Sequence, residues 1–183
     1  MIPALRSALA LALHGGAFTR SNWLFWLDFT VYPLAAAMVA AVDWRGSAID
    51  AGWVALALLG FVLFTFTEYW VHRLPLHAWL YHDRHERHHT HPREYVVFPI
   101  YYSPAIFAAA YLALPHAVFV GFTLGYLWFL VWHHLLHHVD LNRVPAFVRA
   151  YAVWHLAHHH DETCNFGITV PVWDFVFGTY RRV

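Results

Sequence analysis

The stretch Glu68–His91 (EYWVHRLPLHAWLYHDRHERHHTH) leaves an apolar run and then carries seven histidines: His72, His77, His82, His85, His88, His89 and His91. Two later patches answer it, His133–His138 (HHLLHH) and His155–His160 (HLAHHH), so 15 of the chain's 17 histidines fall in three short segments. Histidine patches set at the ends of apolar runs demand a fold that brings those ends to one face.

Composition decides the setting. Hydrophobic residues make up 60% of the 183 and charged ones 12%, too apolar for an ordinary water-soluble surface. Residues 23–42 and 52–71 are each long enough to cross about 30 Å of hydrocarbon. Residues 96–132 are apolar almost throughout and form either one very long helix or a hairpin of two spans. Pro115 favours the hairpin, because proline removes a helical donor and restricts the residue before it. Charge separates the two options further. With four spans, Arg6, Arg20, Arg73, Arg84, Arg87, Arg93, Arg143, Arg149, Arg181 and Arg182 share one side and Arg45 alone lies opposite. Three spans would divide them six to five. Positively charged loops stay in the cytoplasm, which selects four spans and puts all three histidine patches on the cytoplasmic side.

The expected architecture is therefore an all-α integral membrane protein of one domain, residues 1–183. Its four transmembrane helices cover 23–42, 52–71, about 98–114 and about 116–132. Residues 72–95 and 133–183 form a cytosolic helical cap that holds a histidine-lined dimetal site. Both termini are cytoplasmic, and a bacterial inner membrane is expected ahead of the endoplasmic reticulum. Residues 1–20 are expected as an interfacial helix. A signal peptide fits less well, because His14-Gly15-Gly16 makes a poor cleavage site. Asp28, inside the first span, is read as a residue near the interface with a hydrogen-bond partner.

Several classes are excluded. Zero net charge and the absence of lysine imply no nucleic-acid partner. Cys164 is the only cysteine, so no C-x-x-C motif and no cysteine-held iron–sulfur cluster is possible. No G-x-G-x-x-G nucleotide fingerprint is present.

Spacing turns the histidines into a site. On a helix, positions i, i+3 and i+4 share a face, so His85-x-x-His88-His89 and His155-x-x-His158-His159 are each read as three imidazoles pointing one way. His133/His137 and His134/His138 are i, i+4 pairs on adjacent faces. His72 and His77 stand about 140° apart on a regular helix, but Pro75 between them permits a local departure that lets them converge. Ten candidate ligands result: His72, His77, His85, His88, His89, His133, His137, His155, His158 and His159. That is too many for one ion and fits two metals with about five ligands each. His134, His138, His82 and His160 are alternative ligands or outer-sphere partners. Glu68, Asp161, Glu162 and Asp174 are candidate acceptors for the ligands' outer N–H groups, although ordinary solvation explains them equally. Imidazole suits iron, zinc and copper alike.

Two competing readings use parts of the pattern. His85-Glu86-Arg87-His88-His89 spells H-E-x-x-H, the zinc-protease signature, but a protease leaves the other histidine sets unexplained. A soluble carboxylate di-iron site needs two E-x-x-H pairs, and only Glu86-x-x-His89 fits. A non-enzymatic metal carrier is the third class; carriers usually place polar ligands within the spans rather than at their ends.

In combination, H72-RLPL-H77, H85-ER-HH89, H133-HLL-H137 and H155-LA-HH159 resemble the histidine boxes of the fatty acid hydroxylase/sterol desaturase superfamily. EYWVHR at 68–73, YVVFP at 95–99 and NFGITVPVWDFVFGTY at 165–180 are similar to its fatty acid 2-hydroxylase branch. The resemblance covers about residues 65–181. It implies two iron ions, replaceable by zinc in a purified sample, with O2 as cosubstrate. It also implies hydroxylation of a lipid acyl chain, from a fatty acid or sphingolipid, at C2. Sterol or carotenoid hydroxylation or desaturation is the alternative within the superfamily. The expected partners are a lipid entering from the bilayer and a separate electron donor, of a cytochrome b5, ferredoxin or flavoprotein-reductase kind. The oligomeric state is left open. There are departures: the short gap between His77 and His85 implies a different lid over the site. His134 stands where the third box often has tyrosine, which leaves the register, 133/137 or 134/138, open.

Overall fold

The structure, a computed structural model, describes residues 22–78, 82–95 and 102–183. The expected interfacial segment 1–20 lies outside the described residues. The helices are α1 (Asn22–Arg45), α2 (Ala51–Val71), a π-helical turn (His72–Leu76), α3 (His82–Thr90), α4 (Tyr102–Ala113), α5 (His116–His138), α6 (Ala146–His160) and α7 (Val172–Val176). No strand occurs among the described residues.

Local chemistry places the ends. Asp50 caps α2, its carboxylate accepting from Trp53 N at 2.8 Å. Pro115 and Pro145 sit in extended conformation immediately before α5 and α6. The chain breaks between Ala113 and His116, where the hairpin reading puts it. Asp43 ties this end of the bundle together, accepting from Trp53 Nε1 at 2.7 Å and from His116 Nδ1 at 2.8 Å.

Three apolar helices are long enough to cross a membrane: Phe25–Arg45, Ala51–Leu76 and His116–His138. Their outward faces carry exposed leucine, methionine and valine, including Leu34, Met38, Leu58 and Val62. The helix expected at about 98–114 is described only over Tyr102–Ala113, and these 12 residues span about 18 Å. Residues 96–101, just before it, lie outside the described residues. The last long helix does not stop at 132 but runs unbroken to His138, carrying the third histidine patch beyond the apolar section.

The bundle closes around α2 and α5, which touch through small residues. A Cβ added to Gly121 would lie 1.7 Å from Ala57 O, and one on Gly60 would lie 2.0 Å from Val118 O. Gly121 and Gly125 form a G-x-x-x-G step, the pattern that lets two apolar helices approach backbone to backbone. Aromatic rings fill the wider gaps: Phe64, Phe107, Phe122 and Tyr126 pack with centroids 5.0–6.0 Å apart. This packing holds the end of α2, with His72, against the end of α5, with His133 and His137.

The C-terminal tail runs along α2. Asn165, in left-handed conformation at φ 57°, is buried and pins both ends of the tail. Its Nδ2 donates to Trp154 O and Arg181 O, and its Oδ1 accepts from Arg181 N at 2.7 Å.

Candidate metal centre

The ten expected histidines come together as two groups of five. One holds His72, His77, His85, His89 and His158; the other holds His88, His133, His137, His155 and His159. Within each group the facing ring atoms all lie within 4.8 Å of one another. The groups adjoin, with the rings of His89 and His159 stacked at 4.4 Å across the boundary.

The partition corrects one expectation. The two H-x-x-H-H boxes do not each point three rings one way. His85 and His89 face the first group and His88 the second; His155 and His159 face the second and His158 the first. Positions i+3 and i+4 lie on opposite flanks of position i, about 100° apart. Each helix therefore wedges between the two centres and serves both.

His72 and His77 converge because the backbone between them winds as a π-helix, whose i to i+5 hydrogen bonding brings residues five apart back into line. Pro75 lies within that turn. The third pair settles on His133 and His137, which are buried in the second group. His134 and His138 turn aside, stack on each other at 4.1 Å and lie against Tyr95. His82 and His160 fall in neither group.

Ring orientation is set from outside the groups. His72 Nδ1 donates to Phe166 O, and His158 Nδ1 donates to Cys164 O at 2.8 Å. His77 Nδ1 donates to the Glu162 carboxylate at 3.0 Å, and His89 Nδ1 lies 3.3 Å from its other oxygen. A neutral imidazole carries one N–H, so donation from Nδ1 leaves Nε2 as a bare lone pair. Yet His77 Nε2 lies 3.1 Å from His158 Nε2. His85 Nε2 lies within 3.0–3.1 Å of the Nε2 atoms of His72, His77 and His89. The second group repeats the pattern along His88, His133, His137, His155 and His159 at 3.0–3.2 Å. Lone pairs aimed at each other repel unless a cation lies between them. Donors about 2.1 Å from one ion stand about 3.0 Å apart at a right angle, so these separations fit metal ligation.

Protonation agrees. Burial holds His85, His88 and His155 far below the usual imidazole range, and neighbouring imidazoles add to it. Burial likewise brings His89 to about 4, His159 to about 3 and His158 to about 2. His77 is lowered by burial against the opposing pull of Glu162. All are therefore neutral near pH 7, the form that binds a metal.

Of the four carboxylates expected near the ligands, Glu162 alone touches them. Glu68 instead accepts from the backbone N–H groups of Ile168 and Thr169, at 2.8 and 3.1 Å. Asp174 accepts from Phe166 N and Gly167 N, both at 2.8 Å, and from Thr179 Oγ1 at 2.7 Å. Asp161 pairs with Arg181 and Thr163 at the exposed rim. Glu68 and Asp174 thus act one step further out, fixing the 165–169 segment next to Cys164. The carbonyl acceptors at Cys164 and Phe166 were missed in the sequence, where a backbone oxygen has no signature. Their trace is indirect: the N-F-G-I-T run holds Gly167, whose added Cβ would meet Val170 O at 2.3 Å.

Glu86 of the H-E-x-x-H string is exposed on α3 and belongs to neither group. Beside His72, between α2, α4 and α5, lies an apolar cavity of about 200 Å³ lined by residues including Phe64, Val71, Phe107, Phe122, Phe129 and Ile168.

A family model described as fatty acid hydroxylase matches residues 57–179. A dihydroceramide fatty acyl 2-hydroxylase of Arabidopsis thaliana is 34% identical over 146 residues, covering 69% of this chain and 60% of the relative. A ceramide very long chain fatty acid hydroxylase of Schizosaccharomyces pombe is 31% identical over 151 residues, covering 69% and 42%. The chain thus spans roughly half the length of these relatives. A solved structure of full-length scs7p, in which only the hydroxylase domain is visible, matches with a TM-score of 0.72 at 24% identity, over 91% of this chain and 70% of that one. It shares the fold.

Proposed function

The chain belongs to the fatty acid hydroxylase family, and from that premise we propose that it is an O2-dependent di-iron hydroxylase acting at C2 of a lipid acyl chain. The observation that carries the metal assignment is the convergence of ten imidazoles on two points, with the outer nitrogens of His72, His158 and His77 tied to Phe166 O, Cys164 O and Glu162 in the first group. The acyl substrate and the carbon follow the relatives, a dihydroceramide fatty acyl 2-hydroxylase and a ceramide very long chain fatty acid hydroxylase. Iron, when bound, supplies the oxygen activation that no side chain provides.

The chain's own residues do the rest. Main-chain carbonyls and Glu162 hold rings in their ligating tautomer. Phe107, Phe122 and Phe129 line the cavity beside His72, where an acyl chain entering from the bilayer is held out of water. Zinc occupies the same imidazoles in protein prepared without iron. Electrons come from a separate donor protein. A protease reading places its base at Glu86, which is exposed away from both groups.

In the proposed topology α4 belongs to a fourth span. Both termini and the histidine-bearing cap are then cytoplasmic, which the ten-to-one division of arginines supports. The relatives named above come from a plant and a yeast and give the bacterial inner membrane no support.

The test is lipid profiling of cells with and without expression, under iron-replete conditions and with a reductase system present. Acyl chains gaining one oxygen are expected with the wild-type chain and lost with His88→Ala or His158→Ala. Profiles identical with and without the wild-type chain would remove the hydroxylase assignment.

A further inference from the structure

The C-terminal segment descends along α2 and returns. Phe166 O meets His72, Ile168 N and Thr169 N meet Glu68, and Trp173 Nε1 donates to Thr65 Oγ1 at 3.0 Å. The chain then climbs back: Phe177 stacks on Tyr69 at 5.3 Å, Tyr69 OH meets Thr179 Oγ1 at 2.9 Å, and Arg181 closes on Asn165. Thr65 precedes His72 by seven residues, about 10 Å of helix, so the tip of this loop lies well inside the apolar section Ala51–Leu76.

Two independent features fit immersion in lipid. First, the tip is apolar and uncovered: Val172, Phe175 and Val176 are 47%, 60% and 61% exposed, and Trp173 packs on Phe66, itself on the outward face of α2. Second, most N–H groups of this irregular backbone find partners within the protein. Four successive N–H groups, Phe166 to Thr169, are taken by the buried carboxylates of Asp174 and Glu68. Thr179 N and Tyr180 N return to Asp174 O, and Asp174 N, Phe175 N and Phe177 N bond within the tip. Irregular backbone at membrane depth depends on such internal partners, because hydrocarbon offers no hydrogen bonds. Arg73 lies above, donating to Tyr69 OH and covering the rings of Trp70 and Phe166 at 5.4 and 5.7 Å.

We propose that residues 165–180 form a re-entrant hairpin whose tip, residues 171–177, is immersed in the bilayer beside α2, with lipid acyl chains covering Val172, Phe175 and Val176. The proposal rests on α2 being a membrane span, and the experiment separates the two. Single cysteines are placed in a Cys164→Ala chain at Val176→Cys, Phe175→Cys, Leu58→Cys (outward face of α2) and Arg182→Cys. Val176 and Phe175 are more than half exposed, so neither change opens a buried core. Each protein is spin-labelled in lipid nanodiscs, and collisions with oxygen and with a water-soluble nickel chelate are compared.

The expected result is oxygen contact exceeding chelate contact several-fold at 176 and 175, as at 58, with the order reversed at 182. Chelate contact at 176 and 175 equal to that at 182, while 58 stays lipid-like, would overturn the hairpin and leave the span. Chelate contact at 58 would remove the span, and the proposal with it. Labels at 175 and 176 shielded from both reagents would mean a protein partner there and would also overturn it.

Discussion

Asp174 is the residue whose loss tests the link between fold and metal centre most sharply. Its carboxylate is fully buried, accepts three hydrogen bonds and touches no histidine ligand. In Asp174→Ala the donors Phe166 N, Gly167 N and Thr179 Oγ1 lose that partner inside the protein. A buried donor left unpaired costs about 1–3 kcal/mol, so three give roughly 3–6 kcal/mol after partial relaxation, a large share of the stability of a typical domain. The same segment presents the carbonyls of Cys164 and Phe166 to His158 and His72, both in the first group. The variant should therefore unfold at markedly lower temperature and lose metal first from that group. Metal analysis should show one equivalent lost before the second, and Asp174→Asn should fall between the variant and wild type. An Asp174→Ala protein with unchanged melting temperature and full metal content would refute the reasoning.

Other outcomes follow from the same geometry. Gly121→Ala puts a Cβ 1.7 Å from Ala57 O, backbone that cannot step aside, whereas Gly125→Ala meets Phe64 Cβ a full ångström further off, at 2.7 Å. The first should cost at least the 1–3 kcal/mol typical (about) of overpacking and the second less, read as melting temperatures in nanodiscs. Burial brings His89 to about 4 and His159 to about 3, below an unfolded value near 6.5. The unfolded chain therefore binds more protons as pH falls below about 6.5, so this contribution to stability is complete above that pH and lost progressively towards the folded values. Melting temperature and metal retention should both decline on acidification, and thermal scans across a pH series check this. Glu86→Gln should leave metal content and lipid product at wild-type levels, whereas a zinc protease would lose its base.

Much of this was legible in the sequence. The length of the apolar runs located α1, α2 and α5, and Pro115 marked the break before α5, because length, apolarity and proline act locally. The ten gathered histidines follow from box spacing, since i, i+3 and i+4 relations survive in any helix. What spacing alone does not carry is the division of each H-x-x-H-H box between two centres, which depends on the helix being wedged between them. The π-turn at His72–Leu76 was anticipated only as a departure near Pro75. The choice of His133 and His137 over His134 and His138 depended on which face α5 turns inward, set by the Gly60–Gly121 crossing more than two helical turns away. Glu68 and Asp174, carboxylates near the boxes, are in the sequence candidate acceptors for histidine N–H groups, with solvation an equal alternative. Their true partners are backbone N–H groups about 100 and 7–8 residues away, contacts made by the returning tail.

The most direct test of the central claim combines metal and oxygen in one sample. Protein purified from iron-replete cells is analysed for metal, then supplied with an acyl lipid, an electron donor and isotope-labelled dioxygen, and the product is read by mass spectrometry. The account predicts two irons per chain and one labelled oxygen atom at C2 of the acyl chain, with both lost in His158→Ala combined with His88→Ala. Two bound irons, a competent donor and an acyl chain that gains no labelled oxygen would contradict it.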